Sequence, residues 1–114
     1  MENFAYYKKI GEEILFALAN SGAAVIDRYN EESLKLICGF IEENSTAIWI
    51  EKILSLSTIA VIEITVNGPF GEIHREFAID LTKSDDFLVN QTRNEISEIK
   101  MAVYYEWKEW AEEE

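Results

Sequence analysis

The chain of 114 residues is poor in several residue types, and each scarcity excludes a kind of site or fold. Its one cysteine, Cys38, and one histidine, His74, allow neither an intramolecular disulfide nor a structural zinc site. One proline and five glycines, beside 48% hydrophobic residues, are typical of a globular chain and not of a disordered one. We therefore expect a protein of the reducing cytoplasm that folds without a disulfide or a structural metal ion.

Basic residues and long apolar runs are also scarce. Ten Lys and Arg against 22 Asp and Glu give a formal net charge of −12, which disfavours phosphate backbones and anionic membranes. The longest weakly polar stretch, residues 14–26, is too short to span a bilayer, and the N-terminus does not resemble a signal peptide. We therefore expect a cytoplasmic protein that binds neither membrane nor nucleic acid directly, whose charged partners are basic.

Two segments show the apolar periodicity of amphipathic helices. The first covers residues 3–20, with Asn3 suited to cap it and Gly22 suited to end it. The second follows Ser84, a cap residue with two aspartates behind it, and runs to the C-terminus. Its core-facing side is predicted to contain Leu88, Val89, Thr92, Ile96, Ile99, Val103, Trp107 and Trp110. This interpretation makes both tryptophans structural.

The segment between the two helices is predicted to form strands. Residues 58–66 and 72–81 alternate apolar and polar residues on either side of "NGPFG", whose Asn, Gly and Pro suit a tight reversal. Residues 31–54 fit either a helix or strands, and we favour a hairpin because Gly39 costs a helix interior about 1 kcal/mol. The predicted fold is α+β.

In that fold, residues 1–114 form one domain with an N-terminal helix, a four- or five-stranded antiparallel sheet and a long C-terminal helix.

One polar strand face suggests catalysis or metal binding. Glu72, His74 and Glu76 point the same way, and an imidazole with two carboxylates can bind a divalent metal or run acid and base chemistry. An exposed strand with solvated charges explains the same pattern, so we predict no metal ligand here and keep a small enzyme centred on His74 as an alternative. Cys38 lies in an apolar run and is expected to be a buried hydrophobe.

No other catalytic signature is present. "NGPFG" lacks the spacing of a phosphate loop and leads into a strand-like segment, and the sequence contains no Gly-x-Ser-x-Gly elbow. We therefore expect a non-catalytic protein without a cofactor.

The C-terminal helix carries a second apolar line opposite its core-facing side. This line contains Met101 and Tyr105, residue types that are enriched at protein interfaces. The glutamates on its borders are Glu95, Glu98, Glu106 and Glu109. We therefore predict a small acidic protein-binding module, in its sharpest form an inhibitor that occupies a basic, nucleic-acid-binding surface of an enzyme. Phe70 and Phe16 are further candidate contacts, and a homodimeric scaffold or ligand-binding protein is the alternative.

Overall fold

The computed structural model describes residues 3–45 and 47–113, which form three α-helices and one four-stranded sheet. The ends of the predicted domain, at residues 1, 2 and 114, lie outside this description, as does residue 46. In chain order the elements are α1 (Phe4–Asn20), β1 (Ala24–Val25), a 3-10 turn (Arg28–Asn30), α2 (Glu31–Asn44), β2 (Ile48–Leu56), β3 (Ile59–Gly68), β4 (Gly71–Asp80) and α3 (Asp85–Glu113).

The sheet has the order β1-β2-β3-β4 and is mixed, so the prediction of a fully antiparallel sheet is wrong. Strands β2, β3 and β4 are antiparallel neighbours, and the β3–β4 hairpin reverses through "NGPFG" as predicted. The short β1 pairs in parallel with β2, with Ala24 opposite Ile53. The cause is the connection, because the chain crosses over through α2 before it returns to the sheet, and a crossover is what parallel pairing requires.

Residues 31–44 form a helix, so the hairpin predicted within residues 31–54 is also wrong. The apolar residues whose alternation suggested a strand are all buried in this helix, because α2 packs against α1, α3 and β2 at once. A helix enclosed on several sides needs no polar stripe. Its buried apolar residues are Leu34, Leu36, Ile37, Cys38, Phe40 and Ile41.

Two glycines bring α1 and α2 into close contact. A Cβ atom placed on Gly39 would lie 1.7 Å from the Tyr7 carbonyl oxygen, and one on Gly11 would lie 1.7 Å from the Lys35 carbonyl oxygen. These distances are far below van der Waals contact. The backbone of each helix therefore comes close to a glycine of its neighbour, where no side chain keeps the two helices apart. The penalty of a glycine inside α2 is thus offset by packing that the sequence pattern does not show.

One face of the sheet is covered by α2 and α3, and the other face is open. A register shift in β2 between Ile50 and Lys52 keeps Ile53 on the covered side, where it is fully buried. On the open side, Leu56 and Ile59 are 63% and 51% exposed. One end of the open face is therefore apolar.

The molecule is elongated, with extents of 49 × 34 × 21 Å. The 29 residues of α3 account for the long dimension, since a helix of that length measures about 43 Å. Within residues 3–45 and 47–113, no helix combines the length and apolar character that crossing a bilayer requires.

Candidate functional site

The first five turns of α3 pack on the sheet and on α2. Ser84 caps the helix, since its Oγ accepts a hydrogen bond from the Phe87 backbone N–H at 3.2 Å, and two aspartates occupy the first turn. The core-facing side then follows the predicted spacing. Its buried residues are Leu88, Val89, Thr92, Ile96 and Ile99, with Val103 partly buried at the end.

After Val103 the helix continues as a tail, residues 104–113. The side of α3 that faces the core up to Val103 extends here beyond the core cluster. Trp107 and Trp110 are 45% and 38% exposed, so the prediction that they belong to the core is wrong. Tyr104 beside them is 61% exposed. The helical phase was predicted correctly, but the helix extends beyond the sheet, because 10-residue strands reach only about 33 Å while α3 is about 43 Å long.

The aromatic side chains of the tail pack on each other. The rings of Trp107 and Trp110 meet edge to face with centroids 5.4 Å apart, and those of Tyr104 and Tyr105 with centroids 5.6 Å apart. Such pairs are favourable and limit the freedom of each ring. The tail therefore presents partly ordered aromatic surface, which loses less entropy on binding than four independent side chains would.

The tip of the β3–β4 hairpin lies against the root of the tail. The Phe70 backbone N–H donates to Glu106 Oε1 at 3.3 Å, and a Cβ on Gly68 would lie 3.0 Å from the same oxygen. The Phe70 side chain remains 54% exposed. Phe70 and Glu106, which are 36 positions apart in the chain, are therefore the two predicted contact residues that the fold places side by side.

The second apolar line of α3 is exposed, with Met101 at 50% and Tyr105 at 57%. Of the glutamates on its borders, Glu98 and Glu109 are exposed, while Glu95 is partly buried. Burial raises the pKa of the Glu95 carboxyl above its ordinary value, and the neighbouring Glu98 raises it further. With Tyr104, Trp107 and Trp110 on the other side, the tail carries apolar surface on both sides of its acidic stripes.

Phe16, the remaining predicted contact residue, lies elsewhere. It is 70% exposed on α1 and lines a groove with Ala24 and Ile26 at the β1 edge of the sheet. The predicted contact residues therefore fall on two surfaces, one around α3 and one around Phe16.

The polar face of β4 is spread out along the strand. His74 Nδ1 lies 3.0 Å from Thr65 Oγ1 on β3, and His74 Nε2 lies 3.4 Å from a Glu72 carboxylate oxygen. Glu76 is paired with Glu63 across the strands, and Cα atoms four positions apart in a strand, as in Glu72 and Glu76, are separated by about 13 Å. In the described part of the chain, no three groups of the kinds that bind metals converge on one point.

Cys38 is fully buried, and burial raises the pKa of its thiol to about 12. The thiolate, which is the reactive form of cysteine, is therefore strongly disfavoured. Its side chain fills space between α2 and its neighbours.

The surface around α3 is thus defined by an overhanging aromatic tail, the adjacent hairpin tip and a set of glutamates. These features are exposed aromatic and acidic surface. Searches among protein-family models, curated proteins and solved structures found no match to this chain.

Proposed function

We propose that this chain is a non-catalytic, acidic protein-binding module whose tail, residues 104–113 of α3, docks on a basic and partly apolar surface of another protein. One observation carries the proposal. The core-facing side of α3 continues past the end of the core, so that Trp107 and Trp110 are exposed to solvent. Helical spacing gave these residues the same role as Ile99 and Val103, but neither belongs to the buried core cluster or packs against it.

Exposed aromatic surface of this kind is typical of a binding site. Isolated exposed apolar residues are ordinary, whereas contiguous ones mark interaction surfaces. Trp and Tyr dominate the energetics of protein interfaces because a large rigid ring buries much area at little entropic cost. Tyr104, Trp107 and Trp110 form such a set, and Phe70 at the hairpin tip extends it.

Charge indicates the chemistry of the partner. The tail contains four glutamates and one lysine, in a protein with a formal net charge of −12. A basic surface would be attracted over a distance and oriented by this charge, while acidic surfaces would be repelled. The same repulsion opposes pairing between two copies of the tail.

The sharper form of the proposal is an inhibitor that covers a nucleic-acid-binding surface of an enzyme. Glutamate carboxylates along a helix would then occupy positions that backbone phosphates otherwise take. This form predicts that duplex DNA or RNA competes with the module for the captured partner. If nucleic acid does not affect capture, the proposal of a protein-binding module stands, but the proposal that it covers a nucleic-acid-binding surface is wrong.

Affinity capture with matched variants tests the proposal. The immobilised wild-type chain is compared with a Trp107→Ala, Trp110→Ala variant and with a Phe16→Ala variant, using an extract of the organism that encodes it. We expect one or more basic proteins to bind the wild type and Phe16→Ala and to be lost from the tail variant. Elution should occur at moderate salt, because ionic strength screens the attraction. Equal recovery by all three baits would overturn the proposal.

A second candidate is a homodimeric scaffold, and the open face of the sheet favours it. Val25, Leu56 and Ile59 are 56%, 63% and 51% exposed at one end of that face. Two such faces can stack as sheets do in a sandwich. Because both copies are acidic, added salt should strengthen this association, which is the opposite of its effect on docking to a basic partner. Light scattering at low and high salt separates the two candidates, and a monomer at both removes the second.

A further inference from the structure

A half-open cleft of about 270 Å³ lies between the end of α2, the start of β2 and the underside of α3. Part of its wall is apolar, with Ile48, Val66 and Ile99 buried behind it and Val103 partly buried at its edge. The volume falls just below the range of about 300–1,000 Å³ that is usual for small-molecule sites. The cleft is therefore sized for one bulky side chain.

The cleft is continuous with the tail of α3. Val103 lines the cleft, and Trp107 follows it by four residues, one helical turn further along the same side of the helix. A segment that packs on Trp107 therefore passes the mouth of the cleft. Apolar area buried in the cleft would add to the area buried on the tail.

One carboxylate lines the cleft, and a second lies on the next turn of α3. Glu43 lines the cleft and accepts a long hydrogen bond of 3.5 Å from the Tyr6 hydroxyl. Glu106, one turn beyond Val103, accepts from the Phe70 N–H at 3.3 Å. Lys100 also lines the cleft, but its ammonium donates to the Asn44 carbonyl oxygen at 3.4 Å, at the end of α2. A cationic group beside the opening can therefore pair with Glu43.

The wall also contains a polar group without a partner. Ser45 is only 5% exposed, and its Oγ has no hydrogen-bond partner within the described part of the chain. Buried hydroxyls are nearly always hydrogen-bonded, and one left without a partner is unfavourable. Rotation about the single χ1 bond of the serine can turn this hydroxyl toward a bound polar group.

We propose that the cleft receives a bulky aliphatic or aromatic side chain of the partner, from a segment in which a Lys or Arg stands next to that side chain. The apolar side chain fills the cleft, and the adjacent cation pairs with Glu43. This inference rests on the proposed function, and it identifies the residues by which the partner is recognised.

The test is an NMR titration of the full 15N-labelled chain with a capped dipeptide, acetyl-Leu-Arg-amide. We expect saturable shifts of the backbone amides of Ala47, Ile48 and Val103, with a Kd on the order of 1 mM, as suits one anchor and one ion pair. Acetyl-Ala-Arg-amide lacks the anchor and acetyl-Leu-Glu-amide reverses the charge. Each should bind at least about tenfold more weakly.

Ala47→Leu is the variant that blocks the cleft. Ala47 is exposed and lines the cleft, so a larger side chain there fills the space without disturbing the core. We expect Ala47→Leu to abolish the shifts and Ala5→Leu, on an exposed position of α1, to leave them unchanged. Equal shifts with the Leu and Ala dipeptides, unchanged binding by Ala47→Leu, or no shift at about 10 mM, ten times the expected Kd, would overturn the inference.

The two proposals can fail separately. If the captured partner binds Ala47→Leu as tightly as the wild type but loses the tail variant, the cleft inference fails and the docking function stands. If the dipeptide binds the cleft while the tail variant captures every partner, the docking function fails instead.

Discussion

At the scale of single residues, Gly11 and Gly39 set the distance between α1 and α2. We predict that Gly39→Ala destabilises the protein by about 3 kcal/mol or more, although alanine is the better helix former, because the Cβ would overlap the Tyr7 carbonyl at 1.7 Å. Urea denaturation measures the change in the free energy of unfolding. Gly22→Ala is the control.

Gly22 has a φ of +78° and open space around its Cα. Its replacement by alanine should cost only about 1 kcal/mol, the penalty of the left-handed conformation. If Gly39→Ala proved as stable as the wild type, the close contact of the helices would be incorrect.

Glu95 predicts a pH-dependent effect. Because burial and Glu98 raise the pKa of Glu95 in the folded protein, its ionised form opposes folding, and the stability it contributes is lost as the pH rises from its ordinary pKa through the raised value. Glu95→Gln should therefore raise the melting temperature at pH 7. The difference should vanish near about pH 3, where the carboxyl is protonated in both states. A variant less stable than the wild type at pH 7 would contradict this.

Interactions that span a few residues could be predicted from sequence. Asn3 accepts from the Tyr6 N–H and Ser84 from the Phe87 N–H, each three positions ahead, as their residue types indicate. The role of Gly39 could not be predicted, since its reason lies on another helix. Local propensity penalises that glycine, and tertiary packing requires it.

At the scale of elements, the prediction for α2 was wrong. The spacing of apolar residues distinguishes a helix from a strand only when one side of the element is polar. The β3–β4 hairpin has an open polar side and a covered apolar side, so the alternation of apolar and polar residues predicted its strands. In α2 every residue from Leu36 to Ile41 is buried, so its sequence fits strand and helix equally. The parallel pairing of β1 was not predicted either, because it depends on the crossover through α2.

The tail of α3 gives a prediction about stability. Trp107→Ala and Trp110→Ala should each lower the free energy of unfolding by no more than about 1 kcal/mol, because each side chain lies beyond the core and mainly loses the ring contact with the other. Ile99→Ala, which removes a side chain only 4% exposed on the same side of the helix, should cost about 2–5 kcal/mol. Chemical denaturation compares the three. Equal losses would show that the tail is part of the core.

At the scale of the whole molecule, charge and shape act together. A 49 Å body with a formal net charge of −12 places its most aromatic segment at one end of its longest helix. The sequence predicted binding through Met101 and Tyr105 with their bordering glutamates, and through Phe70 and Phe16, but it assigned the tryptophans to the core. Comparing the length of the helix with that of the strands corrects the assignment. The cleft could not be predicted, because its walls come from four elements, α2, β2, β3 and α3.

The most direct test is calorimetric titration of the captured partner with the wild type and with Trp107→Ala, Trp110→Ala. If the tail docks on a basic surface, the double variant should raise the Kd by about 1,000-fold, since two aromatic contacts at the centre of an interface are worth about 2 kcal/mol each. The Kd of the wild type should also rise with salt. A Kd that is unchanged by the two substitutions would contradict the proposal that the tail is the binding surface.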